Sequence, residues 1–351
     1  MPKLYRDLFR FTWQFCNTIL ILIAIASCQS QANQQKGSTS EQADCRTIEH
    51  EAGETEVCGE PQRIVVLGPY VLEPLLALGV QPVAYGDHVA FHQGDYDKPD
   101  EQIPYLGSRI TQPIANVGIA GEPSIEAIAQ AQPDLILGIE ANIQRYDILS
   151  QIASTILVKY GETGNNFKAI AQAVNRTQRA EQLLAETEQK IAAARETFAP
   201  VVAENPDILL ITSSQLKEIA PLDAHTSCTS LPEQLGFKQV PIPGMETPKP
   251  NTSPPPISIE TLPKLNDADS IIVFGYDFGD GKKLNNFDRN QLSKIKQAWS
   301  KNAIAQSMDA SKAGQVYFIP TYLCAGLPGA IGTELYLEEL EKQLLPPDLI
   351  K

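Results

Sequence analysis

Short apolar runs alternate with helical spacing along most of the chain. Arg63 to Leu67 reads as a buried strand, Val71 to Leu78 as a helix ending at Gly79, and Pro82 to Tyr85 as the next strand. Ile125 to Ala131 has helical spacing and leads through a Pro133-Asp134 turn into a strand over Leu135 to Leu137. Asp147 to Ala153 and a strand over Thr155 to Val158 complete this half. Such a βαβ rhythm implies a parallel sheet covered on both faces. From about Phe167 to Phe198 the sequence is rich in Ala, Gln, Glu and Arg and has no Pro or Gly. Its 3.6-like spacing predicts one rod of roughly 45 Å, ended by Pro200 and Pro206.

A second α/β half follows. Its strands are Ile208 to Ile211, Ser270 to Phe274 and Val316 to Ile319. Helices fall near Leu231 to Leu235, Ile259 to Leu265, Gln291 to Trp299 and Ile331 to Leu344, with Pro241 to Pro256 as an irregular loop. The halves echo each other: Ser124-Ile125-Glu126 and Ser258-Ile259-Glu260 each open a helix that leads to an Asp-containing turn and a strand. Each Ser suits an N-cap, and each Glu sits in a first turn, where the helix dipole favours it. The predicted fold class is α/β, with two Rossmann-like lobes bridged by one long helix and a ligand cleft between them. The expected boundaries are 45–165 for the first lobe, 166–199 for the linking helix and 200–351 for the second lobe.

The amino terminus adds an address. Lys3, Arg6 and Arg10 precede a mainly apolar stretch from Phe11 to Ala26, ending at Ile25-Ala26-Ser27-Cys28. The run is shorter than the ~20 residues that span a bilayer. A Cys after Ala-Ser resembles a bacterial lipobox, so residues 1–27 are expected to be a signal peptide and Cys28 the lipidated residue. Residues 28–44 are polar and without periodicity, a flexible tether. Cys45, Cys58, Cys228 and Cys324 remain for an oxidising compartment. A local Cys45–Cys58 bridge and a Cys228–Cys324 bridge are expected. No Cys-x-x-Cys or neighbouring His supports a metal centre built from these cysteines.

With 351 residues, 43% apolar and 20% charged content, the chain is an ordinary globular sequence. A net charge of −14, with no Lys/Arg cluster beyond the first ten residues, argues against nucleic acid as a partner.

The order and spacing of Arg63-Ile64-Val65-Val66-Leu67, Glu73 to Gly79, Gly121-Glu122-Pro123-Ser124-Ile125-Glu126, Pro133 to Leu137 and Gly314 to Phe318 resemble class III periplasmic binding proteins of ABC importers. That group handles ferric siderophores, haem and cobalamin. The resemblance spans about Cys45 to Leu345. It implies a monomeric, lipid-anchored protein on the periplasmic face of the cytoplasmic membrane, with a ferric siderophore as ligand and no cofactor. It also implies that Glu126 and Glu260, one per lobe, dock into Arg pockets on the importer's membrane-spanning subunits. The cleft loops hold Pro69, Tyr70, Asp87, His88, Tyr160, His225, Tyr276, Asp277 and Tyr322. Tyr70, His88, Tyr160, His225, Tyr276 and Tyr322 are the candidate ligand contacts, with Tyr70 and Tyr322 foremost because each directly follows a core strand. Aromatic rings stack on organic chelators, and Tyr oxygen or His nitrogen can complete an iron coordination sphere. One departure from the family is Val117-Gly118-Ile119-Ala120-Gly121, which lacks the Arg often found there, so Arg109 is the candidate for cleft charge.

Other readings stay open at this level: haem or cobalamin as ligand, a surface receptor or scaffold without transport, a direct metal-ion binder, or a lipid-anchored hydrolase. The last finds no Gly-x-Ser-x-Gly, His-Glu-x-x-His or phosphate-loop motif, and no enzymatic activity is expected. Only His50, His88, His92 and His225 could serve a direct metal site, and none is expected.

Overall fold

The computed structural model describes residues 44–222, 226–242, 256–277, 284, 286–347 and 349. The expected signal peptide, Cys28 and nearly all of the tether lie outside the described residues, as do His225 and most of the Pro-rich loop. The body begins with a hairpin of β1 (Cys45–His50) and β2 (Gly53–Cys58). Their register sets Cys45 opposite Cys58, and a disulfide joins the pair. Ile48 and Val57 bury the inner face of this hairpin in the first lobe. Its outer edge is tied to the sheet by the Glu51 N–H donating to the Leu157 carbonyl at 3.0 Å.

The first lobe is built on β3 (Ile64–Leu67), β4 (Ala84–Asp87), β5 (Ala115–Ile119), β6 (Glu122–Pro123), β7 (Leu135–Ile139) and β8 (Ser154–Val158), in spatial order β6-β5-β4-β3-β7-β8. All pairings are parallel except β5 with β6. The apolar run at 64–67 follows from this position. Ile64 and Val66 enter one core, Val65 and Leu67 the other, so neither face of the strand tolerates a polar residue. The second lobe repeats the device. Strands β9 (Asp207–Thr212), β13 (Ser270–Gly275) and β14 (Val316–Pro320) run parallel, with β10 (Glu218–Pro221), β11 (Lys238–Gln239) and β12 (Ile257–Ser258) at the edge. Ile208 and Leu210 face one core, Leu209 and Ile211 the other.

The linking rod needs correction: two helices stand where one was expected over 166–199. Helix α3 (Thr163–Ala173) ends, and α4 (Thr177–Glu204) starts after a three-residue break; α1 is Pro69–Ala77 and α2 is Ile125–Gln130. At the break Asn175 takes φ 55°, a left-handed conformation that Asn tolerates better than most residues. The Arg46 guanidinium from the hairpin caps the exposed end of α3, donating to the Gln172 and Ala173 carbonyls at 2.9 and 3.2 Å. Neither Asn175 nor a capping Arg 126 residues upstream announces a stop in the local pattern. Pro200 lies inside α4 rather than ending it. The 28 residues of α4 make a rod of about 42 Å.

Helices α5 (Ser227–Leu235), α6 (Phe287–Lys301) and α7 (Ala330–Leu344) complete the second lobe. Helix α7 packs on α4 and reaches α1 of the first lobe. There Glu73, wholly buried, accepts the N–H groups of Ile331 and Gly332 at 2.7 and 3.4 Å through Oε1. A carboxylate from one lobe thus caps the amino-terminal turn of the last helix. Burial pushes the Glu73 carboxyl up to about 7, although the backbone N–H groups and Arg109 pull the other way. Gly329 permits the approach, since a Cβ there would lie 2.2 Å from Glu73 Oε2.

Candidate functional site

Every wall of the interlobe cavity is a strand's carboxyl end, the place where open α/β sheets bind ligands. Strand β3 leads to Gly68, Pro69 and Tyr70; β4 to His88; β5 to Ala120; β7 ends at Ile139, and β8 leads to Tyr160. From the other lobe, β13 leads to Tyr276, and β14 to Thr321 and Tyr322, with Ala325 and Gly326 behind them. The cavity measures about 330 Å³, at the small end of the range for small-molecule sites.

Local chemistry fixes the rings. Gly68 (φ 109°) turns the chain out of β3, its N–H donating to the Gly86 carbonyl at 2.8 Å, and Pro69 starts α1. Tyr70 is therefore buried at the helix start, and its hydroxyl accepts the Gly161 N–H at 2.9 Å. Burial pushes that phenol up to about 12, so it remains protonated. Tyr160 stacks against it with ring centres 5.1 Å apart, and its hydroxyl reaches the Ala325 carbonyl of the opposite lobe at 3.4 Å. Tyr160 and Tyr276 are 42% and 37% exposed, so their faces meet solvent at the cavity mouth. The His88 ring donates from Nδ1 to Asp87 Oδ1 at 2.7 Å and lies 5.1 Å from the Tyr322 ring.

Tyr322 belongs to a π-helical turn, Tyr322–Gly326, that also carries Cys324. The Cys228–Cys324 disulfide bolts this turn to α5, and the Ser227 hydroxyl donates to the Cys324 carbonyl at 2.5 Å. Phe287 packs edge-on against Phe91 and Tyr105 across the lobe boundary and against Tyr322 of its own lobe, at 5.4 to 5.6 Å. The Tyr105 hydroxyl donates to the Asp288 carboxylate, a further polar tie between lobes.

Five of the candidate contacts therefore meet around one cavity: Tyr70, His88, Tyr160, Tyr276 and Tyr322. Arg109 does not join them. The chain from Pro99 to Arg109 folds through two short helical turns, carrying Arg109 to the outer groove between α1, α4 and α7, beside Leu76, Arg179 and Glu334. It acts there on Glu73, not on the cleft. Asp87 is the buried last residue of β4 rather than a loop residue, and Asp277 pairs with Lys294 at 3.0 Å outside the cavity lining. Sequence reasoning missed Thr321, Ala325 and Gly326.

Glu126 and Glu260 are both exposed, each in the first turn of its helix. The Ser124 hydroxyl accepts the Ala127 N–H at 3.2 Å, and the Ser258 hydroxyl accepts the Glu260 N–H at 3.3 Å. The second helix is of the tighter 3₁₀ type, residues 259–265, with Pro263 inside it.

With this geometry in view, comparison with known proteins decides the family. The family described as periplasmic binding protein matches residues 64–323. The chain belongs to that family. It is thus a binding protein, with the two-lobe class III architecture, and not an enzyme. It is 26% identical over 337 residues to the probable siderophore-binding lipoprotein YfiY of Bacillus subtilis, covering 94% of this chain and 96% of that one. It is 28% identical over 308 residues to the Fe(3+)-citrate-binding protein YfmC of the same organism, covering 85% and 86%. Among solved structures, Staphylococcus aureus SirA complexed with staphyloferrin B superposes with a TM-score of 0.67 at 24% identity, covering 85% of this chain and 98% of SirA. Among the described residues no helix is long and apolar enough to cross a membrane.

Proposed function

We propose that this binding protein captures a ferric siderophore in the interlobe cavity and delivers it to an ABC importer. The observation that carries the reading is the convergence of Tyr70, His88, Tyr160, Tyr276 and Tyr322 at strand ends of both lobes. Flat rings stack on chelator aromatics or cover the apolar face of a chelate, and a site shared by two lobes closes around what it holds. Siderophore- and ferric-citrate-binding relatives that align over most of the chain support the same cargo class.

Delivery is assigned to the two exposed carboxylates. Glu126 and Glu260 sit on corresponding helices of the two lobes, so each can pair with a guanidinium of one membrane subunit. Cys28 is the proposed acyl attachment, with residues 28–44 as tether at the outer face of the cytoplasmic membrane. The test is an uptake assay with labelled ferric siderophore. Glu126→Ala with Glu260→Ala should abolish uptake while leaving binding by the purified protein intact. Retained uptake, or lost binding, contradicts the docking role.

A further inference from the structure

Two helices carry facing walls of the cavity, and one buried side chain joins them. Helix α1 places Tyr70 in the cavity and Glu73 three residues on, one turn along the same face. The Tyr322–Gly326 turn supplies Tyr322, Ala325 and Gly326, and the chain then runs through Leu327 into α7. That turn is seated on the helix it precedes, since a Cβ on Gly332 would lie 1.9 Å from the Leu327 carbonyl oxygen. Glu73 accepts the Ile331 and Gly332 N–H groups of the same first turn. The contacts close a ring around the cavity: Tyr70 stacks on Tyr160, and the Tyr160 hydroxyl donates to the Ala325 carbonyl.

The two ends of that ring differ in kind. At the mouth, the Tyr160 bond to Ala325 is long, 3.4 Å, and within reach of water. At the back, Glu73 is wholly buried, and parting α1 from α7 uncovers its carboxyl group. Burial outweighs both the capping N–H groups and Arg109 in setting its hold on a proton. Protonated Glu73 therefore favours the buried arrangement, and ionised Glu73 the parted, hydrated one. The neighbouring charges do not cancel this. Across the outer groove Arg179 pairs with Glu186 and Lys190 with Glu334, at 3.2 and 3.0 Å. Lys168 of α3 lies in a different groove, beside the hairpin. Strands β3 and β7, on which α1 packs, carry no ionisable side chain.

We propose that Glu73 is a positioning residue for the ligand cavity, a hinge pin whose protonation holds the Tyr70 wall against the Tyr322–Gly326 wall and whose ionisation lets them part. Only the choice of probe rests on the cargo reading above. The sign follows from linkage: the closed form holds its proton up to about 7, and a hydrated carboxyl up to the ordinary 4.5. Closure is thus favoured at acid pH, weakens as pH rises between those values, and levels off above them. A ligand enclosed by both lobes is held less tightly over the same rise.

The first measurement needs no ligand. Hydrogen exchange of the Ile331 and Gly332 amides, corrected for the intrinsic pH dependence of exchange, should lose protection by at least about tenfold from about pH 5 to about pH 8. In Glu73→Gln, a neutral side chain of the same size, protection should stay level. The second measurement is the dissociation constant of ferric citrate, a ferric trihydroxamate and a ferric triscatecholate, read by intrinsic fluorescence quenching over the same range. The unaltered protein and Glu73→Gln should bind equally at the acid end, and the variant should bind at least about fivefold tighter at the alkaline end. The chelate and the cavity lining are common to both proteins, so the difference belongs to residue 73. A cap that served only the fold would make Glu73→Gln the weaker binder at every pH. That result, parallel binding profiles, or level protection in the unaltered protein overturns the pin. Protection that follows pH in a protein that binds no ferric chelate leaves the pin standing and removes the cargo reading, whereas chelate binding with level protection does the reverse.

Discussion

On the first lobe's side of the cleft, Tyr70, His88 and Tyr160 are held by hydrogen bonds and ring contacts alone, from Gly161, Asp87 and the paired tyrosines. On the second lobe's side, the Tyr322–Gly326 turn is bolted to α5 by the Cys228–Cys324 bond. The two walls descend from the same strand-end plan, yet one is held by non-covalent contacts and the other carries a covalent bond. Between them runs the Glu73 cap on α7, a polar seam buried where the lobes meet. A cleft protein needs one wall that keeps its shape while the seam allows relative movement, and the covalent bond stands on only one side.

The contrast can be broken most strongly at the disulfide. Its cysteines are 96 residues apart, and closing a loop of about 100 residues stabilises by about 4.7 kcal/mol in the chain-entropy account. Paired Cys228→Ser and Cys324→Ser should lower urea-unfolding stability by about 4–5 kcal/mol. A loss near zero would mean that packing alone holds that wall.

The seam should show itself in pH dependence. Glu73 has a folded pKa of about 7 against an ordinary 4.5, so the folded state binds more protons than the unfolded state between those values. Its contribution to stability therefore declines as pH rises from about 4.5 to about 7, by on the order of 3 kcal/mol, and levels off above. The stability difference between the unaltered protein and Glu73→Gln, measured across that window, should follow this decline. A difference that stays constant rules out Glu73 as the titrating group.

A steric probe sharpens the same point. Gly329→Ala would place a methyl 2.2 Å from Glu73 Oε2, and relief requires the carboxyl or the start of α7 to shift. A loss of about 1–3 kcal/mol is expected in thermal or urea unfolding. The smallest effect separates the two helices that carry Glu126 and Glu260. Ser124→Ala should cost about 1 kcal/mol by removing the cap of α2. Ser258→Ala should cost less, because the 3₁₀ turn it opens already contains Pro263 and leaves fewer backbone donors to satisfy. Equal losses would contradict that distinction.

Much of the architecture was legible because its cause is local. Strands such as Ile64–Leu67 and Asp207–Thr212 are covered on both faces, so their apolar runs are nearly continuous and easy to read. The Ser-Ile-Glu repeat located two exposed first-turn carboxylates, Glu126 and Glu260, for the same reason. What escaped depends on contacts remote in sequence. The end of α3 is stabilised by Arg46, and Glu73 looks like an ordinary polar residue on a helix until its partner, 258 residues away, is seen. Arg109 was misplaced because proximity in sequence to the cleft loops says nothing of where two short turns will carry it.

The central claim is that the aromatic cavity between the lobes takes a ferric chelate. Its most direct measurement is quenching of intrinsic tryptophan and tyrosine fluorescence by ferric catecholates, hydroxamates, ferric citrate, haem and cobalamin, repeated with Tyr160→Ala and Tyr276→Ala combined. Saturable quenching by at least one ferric chelate, weakened by tenfold or more in the double variant, is predicted, each tenfold being about 1.4 kcal/mol. Quenching by none of the iron chelates, or saturable quenching unchanged when both mouth tyrosines are removed, contradicts it.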